Sequence, residues 1–231
     1  KMPVLGGNST KLIELAGGVS SLSFSPDEKR IVLTRAKGGE TVLLTVNIDG
    51  SGERQIAARN IPEIINGASL SPDGKTFSCN IGSIRGSFFG LEAIPAEGGP
   101  ARRLGSRTWS GNLSSGVWLP NSHGLINQAG DHEGTSQIWH ISYPEGDARR
   151  ITNDLNSYSN LSLNGDASAL VAVQRETTAH IWVVPVGDPT RARQITNGRL
   201  DGNTGMAWAS NDSIIYGAPD SSQNSQLWIT A

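Results

Sequence analysis

The chain is 231 residues long and 36% hydrophobic, with 19 lysines and arginines against 21 aspartates and glutamates for a formal net charge of −2. So even a balance gives no field toward polyanions, and no apolar run approaches the ~20 residues of a membrane-spanning helix, so neither nucleic-acid partners nor direct membrane insertion is expected. The single cysteine, Cys79, rules out an intramolecular disulfide and is expected to be a buried, inert thiol.

In chain order, Lys1 to Gly7 reads as the end of a strand running into a turn, without the basic-then-apolar order of a signal peptide. Lys11–Leu15 looks like a fourth strand with no sheet of its own. The first complete signal follows: Ser23-Phe24-Ser25-Pro26-Asp27-Glu28-Lys29-Arg30-Ile31, which returns as Ser69-Leu70-Ser71-Pro72-Asp73-Gly74-Lys75-Thr76-Phe77. Weaker copies are Val117-Trp118-Leu119-Pro120-Asn121, Leu161-Ser162-Leu163-Asn164-Gly165-Asp166 and Ala207-Trp208-Ala209-Ser210-Asn211-Asp212. Equivalent turn positions fall at 26, 72, 120, 165 and 210, in steps of 46, 48, 45 and 45 residues. A period of about 40–50 residues is that of a four-stranded propeller blade. The repetition therefore predicts an all-β fold, a β-propeller of about five blades with repeats at approximately 19–65, 66–105, 106–152, 153–197 and 198–231 of a single domain.

The fourth repeat shows the pattern of one blade. Ser159–Leu163 and Ala169–Val173 are apolar runs joined by Asn164-Gly165-Asp166, a hairpin signal, and Ala179–Val184 and Arg193–Thr196 supply two more strands of the same sheet. The third strand carries an aromatic position, with Gln137-Ile138-Trp139, His180-Ile181-Trp182 and Gln226-Leu227-Trp228 in equivalent places; a ring there is expected to wedge between neighbouring blades. In the Ser-Pro-Asp-Gly turn, proline presets φ, aspartate bonds the backbone beyond it, and glycine accepts φ > 0, so Asp27 and Asp73 are expected to cap turns. The ends complement each other: Lys11–Leu15 paired with Gln226–Ile229 would close a five-bladed ring, the alternative being a slice of a larger propeller.

These turns, the Ile-Trp of the third strand and the closing Arg-Gln-Ile-Thr at 193–196 resemble the TolB-type propeller repeat, also called PD40 or WD40-like. The resemblance covers nearly the whole chain. It is most similar to propellers attached to bacterial membrane-bound Ser/Thr kinases and winged-helix regulators, which implies an extracytoplasmic location and a sensory or scaffold role within a larger bacterial protein. No kinase signature is in this chain.

On a propeller the interblade loops and the second-to-third-strand loops gather around the channel, where ligands are usually held. The interblade stretches 60–67, 105–112, 153–158 and 197–203 carry Arg107, Trp109, Asn112, Asn156, Tyr158, Arg199, Asp201 and Asn203, side chains suited to a protein, peptide or small polar ligand. No Gly-x-Ser-x-Gly elbow, no His-Glu-x-x-His and no calcium-loop alternation occurs, so no catalytic residue, metal or cofactor is expected. Asp131-His132-Glu133-Gly134 is the densest titratable cluster and reads as a polar hairpin loop. The expected function is a non-enzymatic binding or protein-interaction module. The alternatives are the non-catalytic propeller of a prolyl-oligopeptidase-like hydrolase and a structural spacer or oligomerisation element.

Overall fold

The computed structural model describes residues 11, 13–14, 17–86, 88–110, 113–130, 135–210, 212–220 and 224–230. The chain forms two compact units, Lys1–Gln174 and Arg175–Ala231. In the first, β1 (Gly18–Phe24), β2 (Arg30–Lys37), β3 (Glu40–Asn47) and β4 (Arg54–Asn60) pair in sequence order as one four-stranded sheet. A second sheet runs β5 (Glu63–Leu70), β6 (Thr76–Ser83), β7 (Phe88–Pro95) and β8 (Arg102–Arg103), with β9 (Trp109–Ser110) added to β7. The third is β10 (Val117–Trp118), β11 (Gly124–Gly130), β12 (Ser136–Ser142) and β13 (Ala148–Arg150), followed by the hairpin β14 (Ser157–Leu163) and β15 (Leu170–Arg175). The second unit holds the hairpin β16 (Trp182–Val183) and β17 (Arg193–Gln194), and a three-stranded sheet of β18 (Met206–Ser210), β19 (Ser213–Pro219) and β20 (Ser225–Thr230). All strand pairs along these sheets whose register is described are antiparallel. The all-β class and the four-stranded blades expected from the repeat are present.

The repeated turn closes by one hydrogen-bond scheme. In blade 1 the Ser25 hydroxyl donates to Asp27 Oδ1 at 2.6 Å and accepts from the Arg30 amide at 2.9 Å, while the Lys29 amide donates to Asp27 Oδ1 at 3.2 Å. In blade 2 Ser71, Asp73, Thr76 and Lys75 repeat it at 2.5, 3.0 and 3.1 Å. These bonds, the hydroxyl first, hold the carboxyls of Asp27 and Asp73 below the ordinary carboxylate range. The fourth copy looks degraded in sequence, yet Asn164 Oδ1 takes the serine's place, accepting from the Ala169 amide at 2.9 Å, and Asp166 Oδ1 accepts from the Ser168 amide at 3.0 Å. One residue of each turn lies in the left-handed region: Glu28 (φ 56), Gly74 (φ 72), Ser122 (φ 59) and Ala167 (φ 55). Only Gly74 adopts it without steric cost.

The Ile-Thr that ends the third and fourth repeats also has a physical role. The Ile138 amide donates to Thr152 Oγ1 at 2.9 Å, and the Ile181 amide to Thr196 Oγ1 at 3.0 Å. Two residues before each threonine, Arg150 Nε and Gln194 Nε2 donate to the carbonyls of Thr152 and Thr196. The threonine thus ties the outer end of a blade to its third strand.

The core of the first unit lies between and within sheets. Alternate residues of β2 and β3 point to opposite faces: Ile31, Leu33, Val42, Leu44 and Val46 form one cluster, while Val32 and Leu43 join Ile56 against Ile65, Ala68, Leu70, Phe77, Cys79 and Ile94 of blade 2. The other face of blade 2, with Leu91, Ala93, Leu104 and Trp109, packs on Leu113, Trp118, Leu125, Trp139 and Ile141. Each fully buried large side chain contributes ~1.5–3 kcal/mol. Cys79 is buried here, and burial pushes its thiol far above the ordinary value.

Three expectations differ from what is observed. The fourth repeat forms two separate two-stranded sheets, because its third strand shrinks to Trp182–Val183 ahead of Pro185. The aromatic wedge holds for Trp139, which is 5% exposed, while Trp182 and Trp228 are 54% and 48% exposed. Of the expected closing strand, Lys11, Ile13 and Glu14 lie in no strand and Ile13 packs on the blade 1 cluster; Leu12 and Leu15 lie outside the described residues.

Since Ala167 holds a left-handed conformation that costs an alanine about 1–2 kcal/mol and a glycine almost nothing, Ala167→Gly should stabilise the chain. The gain, after the larger unfolded-state entropy of glycine, is on the order of 0.5–1 kcal/mol, read as a higher urea midpoint with unchanged slope.

Candidate functional site

Antiparallel strands reverse at every turn, so the first-to-second and third-to-fourth strand turns of a blade share one edge, and the remaining loops share the other. Of the residues singled out from sequence, Arg107, Asn156 and Tyr158 belong to the second edge. In the first unit the stretch after β13 is braced from below: buried Gln137 donates from Nε2 to the carbonyls of Asp154 (3.0 Å) and Asn156 (2.7 Å) and accepts from Thr152 Oγ1 at 2.7 Å. Asp154 Oδ1 accepts from the Asn156 amide at 2.8 Å, and Asp154 Oδ2 from the Tyr158 hydroxyl at 2.7 Å, the bond that chiefly pushes the Tyr158 phenol upward. The Arg107 guanidinium stacks 4.1 Å over the ring of Trp139, which shares a face of β12 with Gln137. Arg107, Asn156 and Tyr158 are therefore gathered on one strand face, with Asn156 and Tyr158 engaged in shaping their own loop.

The others fall elsewhere. Trp109 is 2% exposed, paired in β9 with Phe89 and packed in the core, so its ring is not offered to a ligand. Asn112 and the cluster Asp131–Gly134 lie outside the described residues. In the second unit Asp201 is buried and accepts from the Gly198 amide at 2.6 Å, a turn-forming role. Arg199 lies 3.8 Å from Glu176 and donates to the Thr177 carbonyl, while Asn203 is exposed.

A groove of the first unit opens on the opposite edge. It has a volume of about 470 Å³ and is walled by Pro72 and Asp73 from the blade 2 turn, Pro120 and His123 from the blade 3 turn, and Tyr143 and Pro144 after β12. Sequence reasoning treated Pro72, Asp73 and Pro120 as turn chemistry only and singled out none of the other wall residues; the signal it missed is that turns of adjacent repeats, 48 residues apart at positions 72 and 120, must stand side by side. The walls are fixed. The Asp73 amide donates to Ser122 Oγ at 3.2 Å across the two blades, Tyr143 sits edge-on to Trp118 at 5.2 Å, and its hydroxyl is 3.2 Å from Thr76 Oγ1. Arg102 lies 5.7 Å over the Tyr143 ring and donates to the Pro144 carbonyl at 2.8 Å. Trp118 Nε1 donates to the Ser69 carbonyl at 3.1 Å, and Ser69 Oγ to the Gly116 carbonyl at 2.6 Å.

Smaller grooves exist in each unit. One of about 280 Å³ lies where the outer strand of blade 2 breaks between β8 and β9, beside the ion pair of Arg59 with Glu92 at 2.7 Å. Another, of about 410 Å³ in the second unit, is lined by Trp182, Met206, Trp208 and Ile214. Among the described residues no three His, Cys, Asp or Glu side chains converge as a metal site.

The chain is similar in structure to TolB from Acinetobacter baumannii, with a TM-score of 0.59 at 17% identity over 93% of this chain and 52% of that one. It is similar to a putative TolB from Agrobacterium tumefaciens, with a TM-score of 0.53 at 15% identity over 92% of this chain and 76% of that one. A chain of a nidogen/laminin complex gives 0.56 at 14% identity, over 86% and 71%. The chain thus spans about half the length of the Acinetobacter TolB. No protein-family model matches the sequence, and a search of curated proteins returns no match. The fold is a TolB-like β-propeller fold.

The groove depends on a backbone contact that only glycine permits. Gly146 (φ 82), in the turn carrying Pro144, faces Gly105 (φ 66), and a Cβ on Gly146 would stand 2.1 Å from the Gly105 nitrogen. Gly146→Ala should cost about 2–4 kcal/mol of stability, measured by denaturant unfolding, whereas Gly165→Ala, which meets open space, should cost under about 1 kcal/mol.

Proposed function

We propose that the chain is a non-enzymatic binding module that holds a peptide segment of a partner protein in the groove between blades 2 and 3. The observation that carries this reading is the groove itself, about 470 Å³ in volume, with walls locked by interblade hydrogen bonds. A volume within the ~300–1,000 Å³ of ligand sites, with proline and tyrosine surfaces and a few polar tips, suits an extended peptide more than a small charged metabolite. Preformed walls reduce the ordering cost of binding.

Panning a phage-displayed random peptide library on the full chain tests this. His123 is exposed on the groove wall and Arg107 lies on the other edge, so enriched peptides should bind His123→Glu at least about tenfold more weakly and Arg107→Ala unchanged. Peptides indifferent to His123→Glu, or no enrichment at all, would contradict the assignment.

A further inference from the structure

The walls of the groove between blades 2 and 3 carry an uneven set of hydrogen-bonding groups. Pro72, Pro120 and Pro144 have no amide proton. Of the other wall amides, Asp73 donates to Ser122 Oγ at 3.2 Å, Ser122 to the Leu119 carbonyl at 2.9 Å, His123 to Asn121 Oδ1 at 2.9 Å and Tyr143 to the His123 carbonyl at 2.9 Å. Among the described bonds only the Asn121 amide is left over. A strand ladder alternates amide donors and carbonyl acceptors along the chain, so this groove cannot take a peptide as an added strand. What the walls do offer is side-chain donors. Asn121 uses its Oδ1 on the His123 amide, which leaves Nδ2 to donate; Ser122 Oγ accepts from Asp73, which leaves its hydroxyl proton; and exposed His123 has a ring N–H. Beside them stands the ring of Tyr143, its hydroxyl 3.2 Å from Thr76 Oγ1.

We infer that the peptide held there is a proline-rich segment of a partner protein in the polyproline II conformation, a step that rests on the peptide reading of the groove. Such a segment makes no internal hydrogen bonds, so its carbonyls are free to accept, and its prolines bring no amide that would need an acceptor. Its carbonyls meet the donors on Asn121, Ser122 and His123, and its pyrrolidine rings pack on Tyr143 and the wall prolines, as proline-rich peptides do in aromatic-lined grooves. The conformation exists before binding, so little chain entropy is lost. The repeat shows that the donor on Asn121 is additional to its turn role. Asn121 is the blade 3 equivalent of Asp73, whose Oδ1 accepts from the Lys75 amide at 3.1 Å as Asn121 Oδ1 does from His123. Either residue caps the turn, while only the side-chain amide also donates.

The test is to pan two phage-displayed random libraries on the full chain, one unrestricted and one with proline withheld, and to measure the enriched peptides on Asn121→Asp. That variant keeps the capping oxygen, as Asp73 does in blade 2, and exchanges the donor for an acceptor; circular dichroism with thermal melts checks its fold. The unrestricted library should yield peptides that are weakened by His123→Glu and share Pro-x-x-Pro spacing, and the proline-free library should yield none. Asn121→Asp should weaken those peptides about tenfold or more. Peptides weakened by His123→Glu that arise equally without proline, or that bind Asn121→Asp as tightly as the unaltered chain, would overturn this inference and leave the groove as a peptide site. No enrichment, or indifference to His123→Glu, would remove the peptide reading and this inference with it.

Discussion

Burial of both faces of the central strands is the constraint on which the first unit depends. Val32 and Leu33 are sequence neighbours that point to opposite sides of one sheet, as are Leu43 and Leu44, and all four are essentially inaccessible. A strand buried on both faces requires a sheet or covering segment on each side. Blade 2 supplies one side through Phe77 and Ile94, and blade 3 does the same for Leu91 and Ala93. The blades therefore cannot be assembled independently, which is the quasi-one-dimensional energetics of a repeat protein.

Local polar chemistry fixes the ends of those strands so that the faces meet in register. The Ser25–Asp27 and Ser71–Asp73 turns set where β2 and β6 begin, and Thr152 ties β12 to the residues after β13. The same turns are then available as walls: Asp73 and Ser122 meet across the interface, and Tyr143 reaches back to Thr76. The candidate site is thus a by-product of blade stacking, made rigid by the groups that close the hairpins. In the second unit the Ile-Thr scheme persists at Ile181 and Thr196, while the neighbouring Trp182 is exposed.

The fold was legible because turn spacing and strand alternation are local properties that a sequence displays directly. Asn164 substituting for serine was not legible, since an amide oxygen and a hydroxyl oxygen fill one acceptor position with different letters. Trp109 read as a loop aromatic because β9 is two residues long and joins β7 after an interruption, a pairing with no periodic signal. The placement of Arg107 over Trp139 was equally hidden, as it depends on the path of one short connection. The groove escaped notice because Pro72, Asp73 and Pro120 look fully explained by turn geometry and no repeat signal marks His123 or Tyr143; only adjacency of two repeats in space gives them a common wall.

Hydrogen–deuterium exchange resolved by residue tests the central claim most directly, because strands buried on both faces should open only with the unit as a whole. Amides of Leu33, Leu43, Leu91 and Leu125 are predicted to exchange slowest and to share one opening free energy, with those of Val171, Trp182 and Leu227 exchanging orders of magnitude faster. Uniform protection across these positions, or rapid exchange at Leu43 and Leu91, would contradict the account that stacking of doubly buried strands holds the fold.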